Sequence, residues 1–191
     1  MPLGAARFGL LGGVADLGKL ELIETQTFSG VSTVDFTSID ESIYNVHFMT
    51  LNNIQHTGGL STTRFQLFES GVLETASVYQ YAYQEGTSGG LFQEIKSTGN
   101  NFIYWSNNNN GTTQDARDSE NGYAYFYNLG DSSKYSFLTH QMGFTDFGLF
   151  RMNFNSGVLP QASTVDGIRL KETVGGRTFS GTASLYGIAE S

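Results

Sequence analysis

Proton-transfer chemistry near neutral pH would have to start from His47, His56 or His140, the only three histidines in the 191-residue chain. None stands in an HExxH or nucleophile-elbow context. His47 falls on the polar side of the alternation Tyr44-Asn45-Val46-His47-Phe48, His56 follows a turn-like Asn52-Asn53-Ile54-Gln55, and His140 closes an alternating stretch that runs from Tyr135 to Gln141. All three read as surface or interface side chains, and no spacing argues for a metal triad. The eighteen Asp and Glu residues allow many carboxylate pairs of the kind used in glycoside cleavage and single out none. Asp115, Asp118 and Glu120, with Asn107 to Asn110 as neutral oxygen donors, form the one calcium-like cluster, yet the EF-hand spacing is not met and a solvated loop is the simpler reading. Cysteine is absent, which removes disulfides, thiolate nucleophiles and cysteine-bearing zinc sites. No catalytic residue, metal or cofactor is expected.

A binding site is easier to draw. Tyr104 and the sole tryptophan, Trp105, precede Asn107, Asn108 and Asn110, and aromatic rings beside amides can stack on a sugar face while satisfying its hydroxyls. These five residues are the candidate contact for a glycan or a host surface. The competing reading buries Trp105 at a strand end and leaves the asparagines in turns. The sequon Asn110-Gly111-Thr112 carries little weight without a secretory signal.

The elements that would position such a site are strands. Tyr79, Tyr81 and Tyr83, then Tyr123, Tyr125 and Tyr127, then Phe150, Met152 and Phe154 set an aromatic or methionine on every second residue, which gathers each set on one face of an extended segment. The tyrosine rows fit either a core edge or an interface stripe. Strands are predicted over 20–28, 33–39, 44–51, 64–69, 74–84, 92–96, 102–106, 123–128, 135–141, 149–154, 167–172 and 182–188, separated by turn pairs such as Ser29-Gly30, Gly89-Gly90 and Gly175-Gly176. Neither proline, Pro2 or Pro160, falls within these strands. No long helical period appears, and strands without helical crossovers must pair antiparallel. The expectation is an all-β protein, an antiparallel two-sheet β-sandwich of the jelly-roll type with an extended N-terminal arm.

The arm spans residues 1–18 and the sandwich domain 19–191. Five glycines make a helix in the arm costly, so its apolar Leu3, Phe8, Leu10 and Leu11, with Arg7, are expected to dock on another surface. Core candidates are Leu20, Leu22, Val34, Phe36, Tyr44, Val46, Phe48, Phe65, Leu67, Ile168, Leu170 and Leu185. The polar run from Asn107 to Gly122 is the expected protrusion. A net charge of −8 argues against nucleic acid, and no apolar run is long enough to cross a bilayer as a helix.

Two motifs carry a resemblance. The closing Phe179-Ser180-Gly181-Thr182-Ala183-Ser184-Leu185-Tyr186-Gly187-Ile188 resembles the last strand of small jelly-roll virion structural proteins of tailed bacteriophages. Leu3-Gly4-Ala5-Ala6-Arg7-Phe8-Gly9, Leu20-Glu21-Leu22-Ile23 and Tyr125-Phe126-Tyr127-Asn128-Leu129-Gly130-Asp131 resemble a group of small structural proteins of aquatic phages. The resemblance implies a virion component made in the host cytoplasm, a head decoration, fibre or tail-fibre-type attachment protein. It also implies homo-oligomers, commonly trimers, with other capsid or tail proteins as partners. A carbohydrate-binding module on the same fold is the alternative reading, and a glycan depolymerase a weaker one. A buried cluster of acids and histidines converging in a pocket would contradict the non-enzymatic reading.

Overall fold

The computed structural model describes residues 19–57, 61–106, 118–146, 148–172 and 174–189. The arm, with Leu3, Arg7, Phe8, Leu10 and Leu11, and the loop residues Asn107, Asn108, Asn110 and Asp115 lie outside them. The described residues form thirteen strands and no helix: β1 (Leu20–Val31), β2 (Thr33–Phe36), β3 (Val46–His56), β4 (Thr63–Glu69), β5 (Val72–Leu73), β6 (Tyr79–Thr87), β7 (Phe92–Asn100), β8 (Ile103–Tyr104), β9 (Glu120–Tyr127), β10 (Tyr135–Asp146), β11 (Leu149–Ala162), β12 (Val165–Glu172) and β13 (Phe179–Ile188).

All pairings are antiparallel, as expected for strands joined without helical crossovers. The larger sheet has the order β1-β13-β3-β9-β10-β11-β6-β7, and the smaller has β2-β12-β4-β5 with β8 against β4. The two pack as a β-sandwich. Phe36, Phe65, Leu67, Ile168 and Leu170 of the smaller sheet meet Met49, Leu51, Phe126 and Leu185 of the larger in one buried cluster. Phe65 sits at its centre, edge-on to Phe126 at 5.4 Å and to Trp105 at 5.7 Å.

The smaller sheet has too few strands to cover the larger one. Over the β11 and β6 end of the inner face, the segment Phe102-Ile103-Tyr104-Trp105 takes its place. Tyr104 packs edge-on to Tyr81 at 5.5 Å, and Ile103 lies so close over Gly157 that a Cβ there would come within 2.7 Å of it. Gly157 is therefore the residue that lets this segment approach the sheet backbone.

Several expectations need correction in phase rather than in kind. Leu20 and Leu22, expected in the core, are exposed on the outer edge strand, and Tyr44, Val46 and Phe48 are only half-buried. In β3 the inward residues are His47, Met49 and Leu51 instead. A one-residue shift of a period-2 pattern exchanges the two faces, and here both faces carry large apolar side chains. Pro160 lies within β11, opposite the register shift at Tyr135/Ser136, where a bulge frees its position from the ladder. The span 107–122 expected to protrude overlaps β9, which begins at Glu120, and its residues 107–117 lie outside the described ones.

Candidate functional site

The three histidines are all buried, which corrects their assignment to the surface. His140 sits on the inner face of β10 with its ring 4.9 Å from that of Trp105, and its Nε2 lies 2.8 Å from the Tyr104 carbonyl. Burial lowers its pKa to about 4, so the ring is neutral and Nε2–H donates to that carbonyl. His47 does the same for the Ile39 carbonyl at 2.7 Å, and burial lowers it too. His47 thus ties loop backbone, and His140 the backbone of β8, to the larger sheet.

His56 is different because it lies between two carboxylates. Its Nδ1 is 2.5 Å from Glu172 Oε2 and its Nε2 is 3.4 Å from Glu120 Oε1. Burial alone would lower the imidazole, but the charges and hydrogen bonds of Glu120 and Glu172 outweigh it and carry the pKa to about 9. Burial would likewise raise Glu172, yet hydrogen bonds from His56, from Ser61 and from the Val174 N–H hold it below the ordinary value. Ser106 donates to Glu120 at 2.9 Å. His56 and Glu120 belong to the larger sheet and Glu172 to the smaller, so the charged trio clamps the two sheets together.

This clamp is the buried acid and histidine cluster that a catalytic reading would call for. Its hydrogen bonds are not those of a nucleophile held against a base. Ser61 donates to Glu172 rather than to an imidazole, and a histidine protonated to about pH 9 cannot act as a general base at neutral pH. An opening of about 320 Å³ reaches Glu172 beside Thr33 and Arg177, but His56 and Ser61 do not line it.

Accessible chemistry lies on the outer face of the larger sheet. One cross-strand row reads Tyr186, Phe48, Tyr125, Thr139, Ser156, Ala82 and Lys96 from β13 to β7, and the next reads Thr50, Tyr123, Gln141, Phe154, Gln84 and Glu94. Thr139, Ser156 and Ala82 are small, so a trough of about 700 Å³ opens between the tyrosines of β9 and the charged pair on β7. A second depression of about 420 Å³, floored by Val158 and Gly157, shares Ala82, Ser156 and Lys96 with it. Tyr123 donates to Gln141 Oε1 at 2.9 Å, and the Tyr127 and Thr139 hydroxyls lie 3.4 Å apart. Toward the β11 hairpin the face ends in an apolar tip, with Phe92 72% and Phe150 50% exposed.

Of the predicted contact residues, Tyr104 and Trp105 are the two among the described residues. Trp105 is fully buried and Tyr104 nearly so, which leaves neither ring face open to a glycan and corrects that assignment. The alternative reading of Trp105 as core describes it. Asp118 accepts from Thr145 while Glu120 points to His56 and Ser106, so the described members of the calcium-like cluster do not converge. Among the described residues no group of three or more His, Asp or Glu side chains is arranged to hold a metal ion. Of the aromatic rows, Tyr79, Tyr81 and Tyr83 are core and Tyr123, Tyr125 and Tyr127 face outward. What distinguishes them in sequence is the opposite face: Gln80, Ala82 and Gln84 accompany the first row, Ala124 and Phe126 the second.

No protein-family model matches the chain, and no curated protein matches it. Among solved structures, the Clostridium perfringens CspB protease is aligned at 9% identity with a TM-score of 0.14, over 80% of this chain and 27% of that one. A likeness at that level carries no argument about fold or function.

Proposed function

We propose that this chain is a non-enzymatic structural protein of a bacteriophage particle, a decoration or attachment component that works through the surfaces it presents. The observation that carries the reading is the outer face of the larger sheet, where Leu22, Phe92, Phe137, Phe150 and Phe154 are each 45% or more exposed. Leu22 and Phe92 lie at opposite edges of this face, while Phe92 and Phe150 stand at one end of it beside Gly86 and Gly143, and an exposed apolar cluster of that kind marks a contact surface in a folded protein. The phage-like closing strand supports the same reading: β13 is an interior strand between β1 and β3, and it completes the sheet that bears this face. In the proposed arrangement residues 1–18 anchor the sandwich to capsid or tail, copies associate as trimers, and the many copies on one particle turn weak contacts into avidity.

Purified particles probed by mass spectrometry and by antibody labelling test the reading. The full-length chain is expected on particles, and a chain lacking residues 1–18 is expected to fold yet fail to attach. Absence of the full-length chain from purified particles overturns the proposal, and normal attachment of the truncated chain overturns the anchoring role of the arm.

A further inference from the structure

We infer that the trough between β9 and β7 is a binding site for a neutral saccharide chain, held by Tyr123, Tyr125, Gln84, Gln141 and Lys96. The inference deepens the proposed attachment role and rests on it only for the biological source of the sugar.

Four features select this ligand. The first is the wall and floor chemistry. Tyrosines present an apolar ring with a polar tip, and Gln141, Gln84, Thr139 and Ser156 place amide and hydroxyl groups around them. A sugar ring has the complementary make-up, with C–H faces to pack on aromatic carbon and hydroxyl edges to exchange hydrogen bonds. Because Tyr123 already donates to Gln141 Oε1, the Gln141 amide is oriented and its nitrogen is a donor for such a hydroxyl.

The second feature is shape. The trough and the adjoining depression share Ala82, Ser156 and Lys96, so together they run along the strands from Gln84 to Gln80. At about 3.3 Å per residue that is a channel roughly 13–16 Å long, matched to a linear chain rather than to a compact metabolite.

The third feature excludes an extended peptide. Beneath the trough β10, β11 and β6 each have hydrogen-bonded neighbours on both sides. A peptide that binds by strand addition needs a free sheet edge; the edge at β7 lies at the rim, with its unpaired backbone groups directed in the plane of the sheet and away from the trough, so the floor offers none.

The fourth feature is charge. Lys96 and Glu94 face the trough from the same strand and cancel, while the whole chain carries −8, so a polyanionic chain is repelled and an uncharged one is not. A second copy of this face is also a poor occupant. Two troughs laid against each other enclose an unfilled space, whereas stable interfaces pack to interior density.

The test uses the full chain with a fixed set of soluble hexasaccharides: the neutral glucose oligomers with α-1,4, β-1,4 and β-1,3 linkages, the neutral N-acetylglucosamine oligomer, and a polyuronate oligomer as anionic control. Isothermal titration calorimetry is expected to detect at least one neutral hexasaccharide and not the polyuronate. Tyr125→Ala and Gln84→Ala are each expected to weaken that binding at least 10-fold while the protein still melts cooperatively well above the assay temperature, and Lys171→Ala on the other sheet to leave binding intact. Failure of every neutral hexasaccharide to bind overturns the inference, as does binding that survives both trough variants or prefers the polyuronate. If Tyr125→Ala instead converts an oligomer to a monomer in sedimentation, the face is a contact between copies and the inference falls. A chain found on particles that binds no saccharide overturns this inference alone, and a saccharide-binding chain absent from particles overturns only the particle reading.

Discussion

At the scale of single residues the deciding feature is a cation held between two buried carboxylates. The folded pKa of His56, about 9, exceeds its ordinary 6.5, so its contribution is fully present below about 6.5 and is lost as pH rises through 9. His140 works in the opposite sense: lowered to about 4, it disfavours the folded state as pH falls from 6.5 toward 4, and the lowered Glu172 adds to the loss at still lower pH. Thermal denaturation followed across pH is therefore expected to peak near pH 6.5–7 and fall on both sides. His56→Gln removes the cation and leaves Glu120 and Glu172 facing each other, at a cost of about 3–5 kcal/mol near neutral pH, and it flattens the alkaline fall. An alkaline fall that persists in His56→Gln would show that the clamp is not its source. None of this was legible in the sequence, because His56, Glu120 and Glu172 are separated by 64 and 52 positions and meet only when the two sheets close.

At the scale of elements the chain wrote its strands clearly and their facing less so. Where one face is small or polar, as in Gln80, Ala82 and Gln84 between and after Tyr79, Tyr81 and Tyr83, the alternation carries a hint of the inward side, although the tyrosines themselves fit core and contact surface alike. Where both faces are apolar, as in β3 and β9, nothing local separates core from contact surface, and the trough tyrosines and His47 were obscured for the same reason. The closing strand shows what a local signal can fix. Gly187 lies against the ring of Tyr44, whose hydroxyl donates to Glu21 Oε2 at 2.7 Å, so the ring is pinned where a Cβ would have to go. Gly187→Val is expected to destabilise the protein by about 1–3 kcal/mol, as overpacking does. Chemical denaturation of Gly187→Val, Tyr44→Ala and the double variant checks it: the cost of the valine should largely vanish once the ring is gone. Additive costs would mean that the glycine serves backbone geometry instead.

At the scale of the whole molecule, the sandwich divides its apolar residues between two tasks. Trp105, Phe65 and Phe126 are sealed between the sheets, whereas Phe92 and Phe150 stand in solvent at the end of the larger sheet, beside Gly86 and Gly143, which leave room for them. A side chain that is 72% exposed contributes little to folding, and with Phe150 beside it Phe92 forms an apolar tip open to contact from outside the chain. Phe92→Ser with Phe150→Ser is accordingly expected to leave the denaturation midpoint within about 1 kcal/mol of the parent, since exposed substitutions outside special features change stability little. The same variant should lower attachment to particles or shift the sedimentation profile toward monomer, because the tip lies outside the trough and serves contact with protein rather than with sugar. A variant that unfolds would place the tip in the core. One that folds, attaches and associates like the parent would remove the tip from the contact surface and leave the trough as the only part of this face with an assigned task.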